Sequence, residues 1–128
     1  ANFSYNTFLS TTAADLRFFG ANGQELAYEI ETWDVTGHSR VWVNMGSLED
    51  NTSMVTAAWG NPQDANAPAY VFDGSTWAND FSGTWHFNDV VAGSFVDSSP
   101  LSNHAIGNGA TVDASGHAAL HRTGSKSR

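Results

Sequence analysis

Residues 64–97 carry a run of oxygen-bearing side chains: Asp64, Asn66, Asp73, Asp80, Asn88, Asp89 and Asp97. Calcium is a hard cation that takes six to eight oxygen ligands, so convergence of several of these would build a calcium site. Asp64, Asp73, Asp89 and Asp97 are the candidate metal ligands; no cofactor is expected, with calcium as the alternative. The competing explanation is local. Turns favour Asp and Asn without any metal, and the spacing is not that of an EF-hand loop.

The second chemistry-bearing set is aromatic. Five tryptophans stand at Trp33, Trp42, Trp59, Trp77 and Trp85. An indole offers a broad apolar face and one N–H donor, which suits stacking on a sugar ring as well as packing in a core. Trp42 alternates against a valine-bearing strand face and Trp77 lies in a polar loop. These two are therefore the candidate ligand-binding residues for a glycan, and the other three are expected to serve the sheet.

Catalytic patterns are weak. Glu29 and Glu31 lie on one expected strand face, whereas the carboxylates of a glycosidase approach a bound sugar bond from opposite sides. The chain has no serine elbow, no phosphate-binding glycine loop and no dinucleotide fingerprint. His117 and His121 stand four apart, but no glutamate follows His117 as a zinc protease requires. Cysteine is absent, which removes disulfides, thiolate nucleophiles and cysteine-ligated metals. The chain is expected not to be an enzyme.

The elements that must position these residues read as short strands. Residues 15–19 form one strand, closed by a turn around Asn22 and Gly23. Residues 25–33 alternate, with Tyr28, Ile30 and Thr32 on a core face and Glu29, Glu31 and Trp33 opposite. Residues 39–45 alternate again, with Val41 and Val43 on one side and Arg40, Trp42 and Asn44 on the other. Arg40 is placed to pair across strands with Glu29 or Glu31. Residues 53–59 form a further strand, stopped by Gly60 and Pro62, since proline cannot donate to a sheet ladder. Phe3, Tyr5, Phe8 and Leu9 suggest an edge strand, and Tyr70, Val71 and Phe72 another. Short strands between glycine- and asparagine-bearing turns, without an amphipathic helix, predict an all-β antiparallel sandwich of jelly-roll type.

At 128 residues the chain suits one core of ordinary size. Residues 1–97 read as a sandwich module, and residues 98–128 as a polar C-terminal extension with one more strand and a disordered tail. The net charge is −8, and three of the five basic residues, Arg122, Lys126 and Arg128, sit at the C-terminus. A body so acidic lacks the basic stripe that nucleic-acid binding needs. No apolar run is long enough to span a membrane, so no membrane insertion is expected. Asn51 begins an Asn-Thr-Ser tripeptide of the N-glycosylation type.

The block of Asp15, Leu16, Arg17, Phe18 and Phe19, followed by Tyr28 through Trp33, Val41-Trp42-Val43 and Trp59-Gly60-Asn61-Pro62, resembles the DUF2341 family over residues 15–72. Glu31 with Trp33 matches its acidic-plus-tryptophan pair, Trp42 its central strand tryptophan, and Gly60-Asn61-Pro62 its closing turn. Trp59 stands where tyrosine is more usual. The segment from Trp85 and His86 through Asp97, Asn103 and His104 is similar to the opening of a laminin-G-like, concanavalin-type lectin domain, a frequent neighbour of that family. The resemblance implies a module of a bacterial or archaeal surface protein, hence an extracellular or cell-surface location. The function expected is a non-catalytic structural or protein-interaction module that joins other modules or copies of itself. The alternative is a carbohydrate-binding or adhesion module using exposed tryptophans and calcium.

Overall fold

The computed structural model describes residues 3–48, 53–88, 90–91, 94–106 and 120–121. Asn51, Asp89, His117 and the expected disordered tail lie outside them. The chain divides into two compact units, Ala1–Phe72 and Asp73–Arg128. Among the described residues the regular elements are short strands and single 3-10 turns, and every strand pair is antiparallel. The all-β class expected from the alternation is what the chain adopts. No helix among the described residues is long and apolar enough to cross a membrane.

The first unit has a three-stranded sheet and a hairpin. Strands β1 (Arg17–Gly20), β2 (Glu25–Leu26) and β5 (Val55–Ala58) form the sheet in the order β2-β1-β5. Gly23, at φ +77°, turns β1 into β2 in a backbone region open to glycine without cost. After Ala27 the chain leaves this sheet as β3 (Tyr28–Thr32), which pairs with β4 (Arg40–Val43). The Asn44 amide donates to the Ala27 carbonyl at 2.8 Å and extends that ladder.

The hairpin departs from simple alternation at one place. Tyr28 faces Val43, Glu29 faces Trp42 and Ile30 faces Val41, but the next pair is Thr32 with Arg40, so the register shifts across Glu31. An extra residue of this kind is a β-bulge, and it reverses which face the following side chains occupy. Thr32, expected on the core face, therefore stands opposite Arg40, and Trp33 turns inward onto the core instead of sharing the face of Glu29 and Glu31. Thr32, and not a glutamate, lies directly across from Arg40.

Ala13, Leu16, Tyr28 and Val71 form the buried centre, with Phe18, Ile30, Val41 and Val43 packed against it. Tyr28 is fully buried, and its hydroxyl donates to the Leu16 carbonyl at 2.7 Å, so no polar atom is stranded. Burial holds this phenol in its neutral form by raising its pKa. Two expected strands are 3-10 turns: Tyr5–Thr7, and Ala69–Val71 after Pro68. Pro68 supplies no N–H for a ladder, and the chain turns there with Val71 inward and Phe72 80 % exposed.

The second unit holds β6 (Thr84–Trp85), β7 (Val90–Val91), β8 (Ser94–Phe95), β9 (Ala105–Ile106) and β10 (Leu120–His121). Strands β7, β8 and β9 form one sheet in that order, and β6 pairs with β10. Among the described residues of this unit the buried large apolar side chains are Trp77 and Phe95, and Thr84 and His86 are buried as well.

Candidate functional site: an aromatic cavity in the first unit

The turn at Tyr5–Thr7 brings Phe3, Tyr5 and Phe8 against two tryptophans that arrive from separate strands. The Phe8 ring stacks on Trp59 at 5.2 Å between centroids, with the planes 10° apart, and meets Trp33 edge-on at 4.9 Å. Tyr5 meets Trp33 edge-on at 5.2 Å, and Phe3 meets Trp59 at 5.6 Å. Each such pair contributes about 0.5–1.5 kcal/mol beyond burial. Together with Leu16, Phe18, Val41 and Ala57 they line an open cavity of about 510 Å³, with Gly37, His38 and Ser39 also in its lining. Phe3 at the mouth is 55 % exposed.

Asp15 fixes the segment that carries these rings. It is fully buried, and its carboxylate accepts from the amides of Leu9 at 2.9 Å, Ser10 at 3.1 Å and Gly60 at 2.8 Å. Those partners are sequence neighbours of Phe8 and Trp59, so one carboxylate sets the positions of two cavity walls. Burial pushes this carboxyl up, but the N–H groups of Leu9, Gly60, Asp15 itself and Ser10 outweigh it and leave the pKa below the usual value. Gly60 sits at φ +81°, and a Cβ there would come within 3.2 Å of the Thr7 carbonyl. The indole N–H of Trp59 donates to the Thr7 hydroxyl at 2.6 Å, and the Tyr5 and Ser39 hydroxyls share a hydrogen bond at 2.8 Å. The wall hydroxyls are therefore already engaged.

Asp34 shapes the turn beside Ser39. Its amide donates to the Ser39 hydroxyl at 2.9 Å, and its carboxylate accepts from the Thr36 amide and hydroxyl. The Thr36 amide and then its hydroxyl lower the Asp34 pKa, so the group is ionised at neutral pH.

Behind β1, Arg17 is buried and holds residues 62–72 to the sheet. It donates to the carbonyls of Ala14, Leu16 and Asn66 and lies 3.5 Å from Glu25 and 3.6 Å from Asp64. Tyr70 donates to the same Glu25, and burial and that contact raise its pKa.

The sequence-derived candidates lie elsewhere. Trp42 is half-buried on β4, its indole N–H bound to the Glu31 carboxylate at 2.7 Å. Trp77, expected to be accessible in a polar loop, is only 4 % exposed. A turn at Ser75–Trp77 folds its ring against Phe81 at 5.4 Å and His86 at 5.6 Å. Asp64 accepts from the Asn61 side chain at 2.7 Å. Asp73 accepts from the Ser75 amide at 2.9 Å and from the Ser75 hydroxyl, just before the turn at Ser75–Trp77. Asp97 accepts from the amides of Thr84, Ser99 and Asn103 and the hydroxyl of Ser99, which occupies the four acceptor positions of a carboxylate. Among the described residues no three His, Asp or Glu side chains come close enough to hold a metal ion.

The model of the family described as Domain of unknown function (DUF2341) matches residues 12–88. The chain belongs to the DUF2341 family. The match begins just before Asp15, the carboxylate that ties this unit together, and takes in every strand of the first unit. It runs past Phe72 through Trp77 to Asn88, so Trp85, His86 and Phe87 fall within the DUF2341 region. No curated protein and no solved structure matches this DUF2341 chain.

The sequence pointed to Trp33 and Trp59 as sheet residues and did not join them to Phe3, Tyr5 and Phe8. The available signal was the density of aromatics in residues 3–8, three in six positions. Their convergence depends on the bulge at Glu31 and on Asp15, neither of which has a periodic signature.

Proposed function

We propose that this chain is a non-catalytic interaction module of a secreted or cell-surface prokaryotic protein, joined to other modules or to copies of itself by strand addition. The observation that carries this reading is the outer edge of β5. It pairs with β1 on one side, and among the described residues no strand lies on its other side. Val55–Ala58 contains no charge and no proline, and Thr56, Ala57 and Ala58 are exposed. Sheet proteins ordinarily guard such an edge with lysine, proline or a bulge, because unpaired N–H and C=O groups template another strand. An edge left open and uncharged fits a strand from a partner. The resemblance from Trp85 onward to a lectin-like opening fits placement in a multi-module surface protein. The glycan reading has less support, since Trp77 is buried and the N–H of Trp42 is taken by Glu31.

Sedimentation velocity over a concentration series tests the proposal. The wild-type chain is expected to self-associate, or to bind a neighbouring module of its parent protein, and Thr56→Lys is expected to abolish this while circular dichroism stays unchanged. A chain that remains monomeric and binds no neighbour, or association indifferent to Thr56→Lys, would overturn it.

A further inference from the structure

We propose that the aromatic cavity of the first unit binds a quaternary ammonium group, with Tyr5, Phe8, Trp33 and Trp59 as the walls of the cage. The faces of aromatic rings carry negative electrostatic potential and attract cations, tryptophan most strongly, and quaternary ammonium recognition is a recurrent use of such cages. Six aromatic rings, those of Phe3, Tyr5, Phe8, Phe18, Trp33 and Trp59, line this cavity of about 510 Å³, within the range of small-molecule sites.

Charge adds an independent reason. Asp15 lies immediately behind the wall: it precedes Leu16 in the chain and binds the amides next to Phe8 and Trp59. All its hydrogen bonds come from backbone N–H groups, and among the described residues no cation pairs with it; the buried Arg17 engages Glu25 and Asp64 instead. A buried anion without a counter-cation contributes negative potential at the adjoining wall, reduced by the N–H dipoles that bind it and by solvent at the open mouth. Asp34 does not line the cavity itself, but its carboxylate lies against Gly37 of the lining and interacts electrostatically with the lining residue His38.

The hydrogen-bond state of the wall then separates the classes of ligand. The hydroxyls of Tyr5, Ser39 and Thr7 are bound to one another or to Trp59. A sugar entering here would bury several hydroxyls without partners, at about 1–3 kcal/mol each. A primary ammonium would bring three N–H donors that need acceptors. A quaternary ammonium has no N–H at all, so it asks nothing of the wall beyond ring faces and negative potential. Anions are disfavoured by the same field.

The test is titration of the whole chain with choline chloride, read by intrinsic tryptophan fluorescence and by calorimetry at constant ionic strength set with sodium chloride. The comparison ligand is 3,3-dimethyl-1-butanol, which has the shape of choline without its charge. Choline is expected to bind saturably and at least about tenfold more tightly than the neutral isostere, and Trp33→Ala is expected to lose about tenfold or more. Trp42→Ala, outside the cavity, should leave affinity unchanged. Equal affinity for the neutral isostere, no saturable binding by the wild-type chain, or full affinity in a folded Trp33→Ala variant would each overturn the proposal. If Trp33→Ala does not fold, the choline-to-isostere ratio in the wild-type chain decides the matter. Thr56→Lys should bind choline normally, which separates failure here from failure of strand addition.

Discussion

Each of the two units is organised by a buried aspartate, and the two do different work. Asp15 binds amides at residues 9, 10 and 60, joining the N-terminal aromatic segment to the turn after β5, 45 positions away. Asp97 binds the amides of Ser99 and Asn103, which close its own turn, and among the described residues reaches beyond it to Thr84. One carboxylate assembles tertiary structure around a cavity; the other stiffens a local loop beside β6. A glycine at positive φ attends each of them. Gly60 donates to Asp15, and Gly74 packs against the backbone of residues 98–100 that follows Asp97. The difference teaches that the same residue type, buried and saturated with N–H donors, acts as a long-range clamp or as a turn core according to the sequence separation of its donors.

Substitution of the two aspartates tests this comparison with the largest effect. Asp15→Ala strands three part-buried amides and Asp97→Ala strands the buried donors of Thr84 and Ser99, at up to about 1–3 kcal/mol each, so both are expected to lose roughly 3 kcal/mol in urea unfolding. Only Asp15→Ala should also dissolve the Phe8–Trp59 stack, seen as loss of near-ultraviolet circular dichroism and a red-shifted emission. If Asp97→Ala has the same spectroscopic effect, the distinction between clamp and turn core fails.

The glycines come next. Gly74→Ala places a Cβ 2.6–2.8 Å from the backbone of Ser98, Ser99 and Pro100, whereas Gly60→Ala meets only the Thr7 carbonyl, at 3.2 Å. Both incur the positive-φ penalty of about 1–2 kcal/mol, and Gly74→Ala should cost clearly more because backbone must move. Equal midpoints in thermal melts would show that the turn around Asp97 yields as easily as the Asp15 clamp.

Acid titration sharpens the pairing further. Both carboxyls have folded pKa values below their unfolded ones, since burial raises them but the surrounding N–H donors, led by Leu9 for Asp15 and Thr84 for Asp97, lower them more. The unfolded chain therefore binds more protons in this window, and stability rises with pH there. The contribution is complete above about 3.9, the ordinary aspartate value, and disappears as pH falls through the lower folded values. Asp15→Asn and Asp97→Asn should each flatten the acid limb of stability against pH, and an unchanged slope in either would remove that residue from the comparison.

The smallest effect concerns Thr76. Its hydroxyl is buried with no hydrogen-bond partner among the described residues. Thr76→Val is expected to be neutral or to stabilise by up to about 1 kcal/mol in urea unfolding, since no bond is lost and a desolvated hydroxyl is removed. A loss above that would mean the second unit uses this hydroxyl as it uses Asp97.

Strand existence was legible because alternation and turn residues are local. Tyr28, Ile30, Val41 and Val43 fall on the core face as their spacing predicts. Trp33 did not follow the pattern, because one bulge residue inverts every face after it and leaves no mark in a period-two count. Trp77 illustrates the opposite failure: a polar neighbourhood suggested exposure, but a 3-10 turn that starts at Gly74, with Asp73 accepting from the Ser75 amide, carried the ring inward. The oxygen-rich residues were visible as a set, but whether they meet a metal or backbone amides is a question of convergence that spacing does not answer.

Sequence by itself determined the all-β class, the principal turns, the acidic body and, through Asp15, Trp33, Trp42 and the Gly60–Pro62 turn, membership in the DUF2341 family, because these depend on composition and on neighbours within a few residues. Tertiary structure alone decided that Asp15 is a clamp, that Arg17 is buried, and that Phe3, Tyr5, Phe8, Trp33 and Trp59 surround one cavity. Those outcomes rest on contacts between residues tens of positions apart, where register, one bulge and hydrogen-bond saturation choose among arrangements that the sequence pattern leaves equal.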